Sequence, residues 1–182
     1  MGNPNCALCK HKSNAALTLS NCELEMLGQN CAEIPFKKGD LIFKEGSLAT
    51  NLVYLKEGLV KIHMHGPSRE KILKLVKAPS YLGIPSNVGE RINHYSATAL
   101  IPVKACFISL DVFKTLIQTN GSFAYEIVLD LCKSELAGYD RHVNQLQKQV
   151  HGRVADVLIC MANKLYLGQT FEIPLSREDL GD

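Results

Sequence analysis

Two rhythms of apolar residues divide the chain. From Phe36 to Ile108, short runs rich in Val, Ile, Leu and Tyr alternate with the polar turns KKGD, KEGS, KEGL, HGPSRE and VKAPS. Turn signals at intervals of roughly 8 to 12 residues predict several short antiparallel strands packed as a sandwich or roll. Ahead of them, LSNCELEMLGQN reads as a short helix. Ser20 is placed to cap it, Glu23 to return the bond as a capping box, Leu24 and Leu27 to form an apolar edge, and Gly28 falls near the stop. Beyond the strands, Asp111 opens a brief helix through Ile117, and TNGS interrupts it.

A long proline-free segment then runs from about Phe123 to Val150. Within it Tyr125, Leu129, Cys132, Leu136, Tyr139, Val143, Leu146 and Val150 follow spacings of 4, 3, 4, 3, 4, 3 and 4, the a/d seam of a coiled coil. The first two turns also carry Ala124, Ile127, Val128 and Leu131, an all-round apolar surface that suits packing on the chain's own domain. From Leu136 onward only a narrow stripe is apolar, and such a stripe suits a second identical helix. A homodimer is the expectation. At about 1.5 Å per residue the segment reaches roughly 40 Å. Gly138 costs about 1 kcal/mol relative to Ala in a helix interior, so it reads as a close crossing or a bend.

HGR at 151–153 marks a break, after which Val154, Val157, Leu158, Met161 and Leu165 predict a second amphipathic helix ending at Gly168. TFEIPLS reads as extended, because the residue before Pro174 is pushed out of the helical region. At the chain end LSREDLGD repeats the capping signature with Ser176 and Asp179, and a further helix is expected from Arg177. These divisions give residues 1–121 as an N-terminal helix and sheet domain, 122–150 as a dimerisation helix, and 151–182 as the opening of another unit.

Composition narrows the class. With 182 residues, 46% of them hydrophobic, the chain can build a sizeable core. No apolar run approaches the roughly 20 residues that a membrane helix needs, and the N-terminus has no signal-peptide core. The cytoplasm is therefore the expected location, with no membrane partner. An odd count of seven cysteines and no export signal read as thiols rather than a disulfide framework. A formal charge of +2 is silent about nucleic acid. No Ser-His-Asp order, phosphate loop or dinucleotide fingerprint is present, so no enzyme is expected.

The order of these elements, with FKKGDLIFKEG, YLKEGLVKI, QKQVHGRVADVLICMA and LSREDLGD, resembles the Crp/Fnr family of bacterial transcription regulators, most closely those of Bacteroidetes-type bacteria. The resemblance implies an α+β protein: a cyclic-nucleotide-binding-like antiparallel β-roll, a long dimerisation helix, and the start of a winged helix-turn-helix truncated before its recognition helix. It implies double-stranded DNA as partner of the full-length protein, with Ser176 and Arg177 at phosphate-contacting positions that set register rather than read bases.

Cyclic-AMP-binding relatives carry a Gly-Glu segment followed by an Arg and a small hydroxyl residue. Here YLGIPSNVGERINHYSATAL keeps Gly83 and Ser96, but Ile84 stands for the Glu and Tyr95 for the Arg. Losing both partners removes several kcal/mol from phosphate binding, so cyclic AMP is not expected, and Arg91 is the nearest replacement cation. The effector is an unidentified small molecule or a redox signal. The resemblance also offers an iron-sulfur cluster or metal on cysteine. Cys6 and Cys9 form a C-x-x-C and Cys106 falls at the roll ligand's place, but the third N-terminal cysteine is absent, leaving Cys22 and Cys31 as distant substitutes. Cys106 also reads as a small buried strand residue, and Cys22 as a helix-start redox thiol. A cupin-type metal set of His63, His65, Glu70 and His94 is a further alternative, but strand alternation places His63 and His65 with Lys61 on a face expected to meet water.

Overall fold

The computed structural model describes residues 5–166, 168 and 170–175. Two compact units are present, Met1–Ile127 and Val128–Asp182. In the first, α1 (Asn14–Leu17) and α2 (Asn21–Gln29) precede eight strands: β1 (Cys31–Phe36), β2 (Leu41–Phe43), β3 (Asn51–Glu57), β4 (Leu59–His65), β5 (Glu70–Lys77), β6 (Ser80–Leu82), β7 (Ser96–Ala99) and β8 (Val103–Ser109), with α3 (Ile84–Val88) inserted before β7. The strands form two four-stranded antiparallel sheets, ordered β1-β8-β3-β6 and β2-β7-β4-β5. The antiparallel strands expected from the turn rhythm, and the α+β roll that the resemblance implies, are what the chain builds.

Side chains from both sheets meet in one core that includes Val53, Leu55, Val60, Ile62, Leu82 and Ala105. Alternation along the strands sends these residues inward. The turn between β3 and β4 requires Gly58. Its φ is +105°, and an added Cβ would lie 2.7 Å from both Pro102 O and Val103 Cγ2, so a side chain there meets backbone strain and collision together.

The Ser20 capping box forms as expected: the Glu23 amide donates to Ser20 Oγ and the Glu23 carboxylate accepts from the Ser20 amide. The short α1 escaped the sequence reading, since four residues are too few for periodicity; the Ser13 hydroxyl caps it by accepting from the Ala16 amide. The brief helix α4 (Leu110–Thr119) begins one residue before Asp111, with Ser109 at the cap position and Asp111 in the first turn.

The long helix α5 (Gly121–Gln147) starts on a side-chain hinge. Asn120 Oδ1 accepts from the Phe123 amide at 3.0 Å, while Asn120 Nδ2 donates to the Glu23 carboxylate at 3.1 and 3.2 Å. Phe123 and Ile127 are buried. An aromatic series Tyr54, Tyr81, Phe113 and Phe123, with ring centroids 4.8, 6.1 and 5.7 Å apart, runs from the sheet to the foot of α5.

Two expectations for the second unit need correction. The long helix stops at Gln147 rather than Val150, and the break falls at 148–149, so that Val150 and the HGR segment belong to α6 (Val150–Cys160). An ion pair from Lys148 Nζ to Asp156 Oδ2 at 2.6 Å spans the break. That pairing links residues eight apart, which residue-by-residue periodicity does not show. A π-helical turn, Met161–Tyr166, follows α6 directly, with Met161 fully buried. Residues 170–174 form neither helix nor strand.

Candidate functional site

Three places in the structure gather the residues that the sequence singled out. The first is the region around α3. Gly83, at φ +82°, caps α3, and a Cβ there would lie 2.7 Å from Asn87 Nδ2, so the turn needs glycine. Ile84 is buried. The Gly83 amide donates to Tyr95 Oη at 3.1 Å, and the Tyr95 ring packs on Phe43 with centroids 5.8 Å apart. Burial raises the Tyr95 phenol above its ordinary pKa, keeping it neutral. Ser96 Oγ accepts from the Glu45 amide at 2.9 Å. Gly83, Ile84, Tyr95 and Ser96 are thus brought together, with their polar groups engaged by one another and by neighbouring backbone. Arg91 is exposed, with φ of +58°.

The second place is a cavity of about 310 Å³ bordered by the N-terminal segment, α2, β1, β3 and β8. Cys6, Cys9, Cys31 and Cys106 all line it, with Lys12, Lys56 and Glu33. Local structure explains the convergence. Cys6 and Cys9 sit in a turn in which the Cys9 amide donates to Cys6 O. Tyr54 Oη donates to His11 O at 2.6 Å, and the Ser13 and Tyr81 hydroxyls lie 3.0 Å apart, seating the segment on the sheet. Cys31 starts β1, whose register on β8 pairs Cys31 with Ile108 and Glu33 with Cys106, so both thiols share a face.

The Cys31 thiol lies between those of Cys6 and Cys106 in this cavity and its single S–H can serve either. The neighbouring sulfurs of Cys106 and Cys6 favour the protonated form of Cys31 and, together with burial, push it well above the ordinary thiol value. Cys6 is lowered to about 7, chiefly by the bond from Cys31, with the Lys56 and Lys12 charges helping against its burial. Cys106 is also lowered by Cys31. Lys56 Nζ pairs with Glu33 at 2.6 Å, which raises the ammonium pKa and holds the positive charge beside the thiols.

Of the expected metal set, Cys22 does not join; it is exposed at the start of α2. Cys31, remote in sequence, does. Among the described residues no three His, Cys, Asp or Glu side chains converge on a point that could hold a metal ion. The cavity cysteines therefore do not present a preformed cluster or metal site in this arrangement. Lys12, Lys56, Glu33, Tyr54 and Tyr81 were absent from the sequence reading. The alternation of β1 and β3 finds Glu33, Tyr54 and Lys56 once the pairing with β8 is known, and Tyr81 follows from the register of β6 on β3.

The histidines of β4 require a correction. His63, His65 and Lys61 share a face, as alternation requires, and His65 meets water as expected, but His63 is covered. The His63 side chain is 7% exposed, with Nε2 2.8 Å from Thr98 Oγ1 and Nδ1 2.9 Å from Glu70 Oε2. Strand β5 bulges beside Ile62 and His63, and Glu70 reaches both Lys61 and His63. Desolvation lowers the His63 pKa, with Glu70 opposing. His65 lies by Glu45 and His94 by Glu90, so the imidazoles do not meet as a cupin metal set requires.

The third place is the α5 surface. Tyr125, Cys132, Leu136, Tyr139, Val143 and Leu146 are exposed and Leu129 is partly buried. Val150 is also exposed, on α6. Gly138 lies in an unbroken helix, and a Cβ there would meet only Arg141 Nη2, at 3.8 Å. Ser176 and Arg177 lie outside the described residues. No helix among the described residues is long and apolar enough to cross a membrane.

A two-sheet antiparallel roll with a short helix inserted before β7 and a long helix after it is the fold of cyclic nucleotide-binding domains. Residues 33–120 match the family model of the cyclic nucleotide-binding domain. No curated protein matches the chain. Among solved structures it is similar to CLP of Xanthomonas campestris, described as a c-di-GMP-responsive global regulator: 17% identity, TM-score 0.75, covering 88% of this chain and 83% of that one. It is also similar to FixK2 from Bradyrhizobium japonicum, at 19% identity and TM-score 0.71, covering 83% and 75%. The sensor domain of the transcriptional regulator DNR from Pseudomonas aeruginosa matches at 23% identity and TM-score 0.59, covering 67% and 87%. At these identities the likeness is one of fold.

Proposed function

We propose that this chain belongs to a homodimeric, DNA-binding transcription regulator of the Crp/Fnr type, in which the roll receives a signal and α5 joins two copies. The observation that carries this reading is the exposed a/d stripe of α5, which follows a roll of the cyclic nucleotide-binding kind with only α4 between. A narrow apolar stripe of that spacing is covered by a parallel twin, and a two-fold dimer holds two DNA-binding units at a fixed separation.

The α3 region supports an effector other than cyclic AMP. Ile84 is buried where the resemblance places a ribose-binding carboxylate, Tyr95 stands where it places the phosphate-binding cation, and Tyr95 Oη and Ser96 Oγ are already bonded within the roll. A cyclic phosphate entering there would lose water without gaining a charged partner.

The test is selection from random duplex DNA by the natural protein. The expected product is an inverted repeat with half-sites one helical turn apart, roughly 34 Å. Enrichment of no sequence, or of a site without two-fold symmetry, overturns the reading.

A further inference from the structure

The cavity beneath the N-terminal segment contains a thiol pair that the regulator reading does not use. Cys6 and Cys31 lie 25 positions apart in sequence, yet both line one cavity, each influencing the other's protonation, in a space also lined by Lys12 and Lys56. We propose that Cys6 and Cys31 form a peroxide-responsive dithiol, closing a disulfide that ties the N-terminal segment to the first strand of the roll.

The roles follow from the surroundings. Cys6 is the attacking sulfur, because the cations beside it and the bond it accepts favour the thiolate. Its sulfur attacks one oxygen of hydrogen peroxide; the O–O bond breaks, hydroxide leaves and takes a proton from solvent, and Cys6 becomes a sulfenic acid. The Cys31 sulfur then attacks Cys6 Sγ. The S–S bond forms, the S–O bond breaks, and the departing hydroxide takes the Cys31 proton as water. Two thiols and one peroxide give one disulfide and two waters, the two electrons passing from sulfur to peroxide oxygen.

Strand register sets aside one competing pair in the cavity. Cys31 and Cys106 are diagonal neighbours on adjacent strands, in the register Cys31 to Ile108 and Glu33 to Cys106. Diagonal Cα atoms stand about 7–8 Å apart, beyond the roughly 4.4–6.8 Å that a disulfide spans, and both strands are held by the ladder. Cys6 belongs to no strand and can close the remaining distance. A Cys6–Cys9 bridge would stay within one turn, whereas Cys6–Cys31 joins two elements. The joined segment is the one bonded to Tyr54 and Tyr81, at the head of the aromatic series that reaches Phe123 at the foot of α5.

The experiment uses the full chain, reduced, treated with chelator and exposed anaerobically to one equivalent of hydrogen peroxide, then alkylated and mapped by mass spectrometry. The expected product is a Cys6–Cys31 linked peptide, lighter by about 2 Da and restored by dithiothreitol. With Cys31→Ser, Cys6 accumulates as a sulfenic acid trapped by dimedone. With Cys6→Ser, peroxide consumption falls at least about tenfold, while Cys106→Ser retains the bridge. A dominant Cys6–Cys9 or Cys31–Cys106 linkage, no disulfide at equimolar peroxide, or stoichiometric zinc or iron held by these cysteines in the purified protein overturns the proposal. The wild-type map needs no variant to fold. None of these readouts involves DNA, so this proposal and the regulator reading fail separately.

Discussion

Replacing Leu136 and Leu146 together by Asp is the most direct perturbation of the α5 stripe. These side chains are 63% and 73% exposed in the single chain. Fully burying a Leu contributes about 1.5–3 kcal/mol, so covering two-thirds of one is worth about 1–2 kcal/mol. Two copies carry four such side chains, and their loss removes about 4–8 kcal/mol from the association. At 1.4 kcal/mol per tenfold, the dimer dissociation constant should rise at least about a thousandfold, and repulsion between the introduced carboxylates adds to this. Because the comparison is between variants, the uncertain entropy of association largely cancels. Sedimentation velocity over a concentration series should show a wild-type dimer and a monomeric Leu136→Asp, Leu146→Asp protein of unchanged helix content. Mild oxidation supplies an independent reading: Cys132 occupies a seam position, so a parallel in-register pair brings the two copies' thiols together and yields a covalent dimer that Cys132→Ser prevents. A double mutant that sediments as the wild type does, or a wild type that stays monomeric throughout, refutes the seam argument.

Two further outcomes follow from the first unit. Asn120→Ala should cost about 1–2 kcal/mol in urea unfolding, since it deletes the cap on the Phe123 amide and the bonds to Glu23; Asn120→Asp, which keeps the cap but repels Glu23, should recover only part, and an unchanged midpoint for Asn120→Ala would refute the hinge. Cys6 alkylation by iodoacetamide should rise with pH and level off near its pKa of about 7, because thiolate is the reactive form and its fraction grows as pH passes that value. A rate that keeps climbing to the ordinary thiol value of 9.0 would show that the Cys31 bond and the lysines do not act as described.

Features governed by neighbours in sequence are legible in the sequence itself. The Ser20 and Glu23 capping box, the strand and turn rhythm from Phe36 to Ile108, and the spaced apolar stripe from Tyr125 to Leu146 depend on side chains three or four positions apart or on alternation within a strand. Backbone geometry makes those relations nearly automatic. The substitutions at Ile84 and Tyr95 were legible too, as departures from a family pattern, although only the structure shows Tyr95 Oη accepting the Gly83 amide.

What tertiary structure decided were the relations between distant segments. Cys6, Cys31 and Cys106 share a cavity because the register of β1 on β8 puts two of them on one face and the Tyr54 and Tyr81 hydroxyls seat the segment that carries the third. Alternation placed His63 on the correct face, but whether its side chain met water depended on Glu70 and Thr98, which arrive from other strands. Local patterns determine how each element forms and which side is apolar. Burial, charge and thiol chemistry depend on what arrives from elsewhere in the chain, and that is settled only when the sheets close.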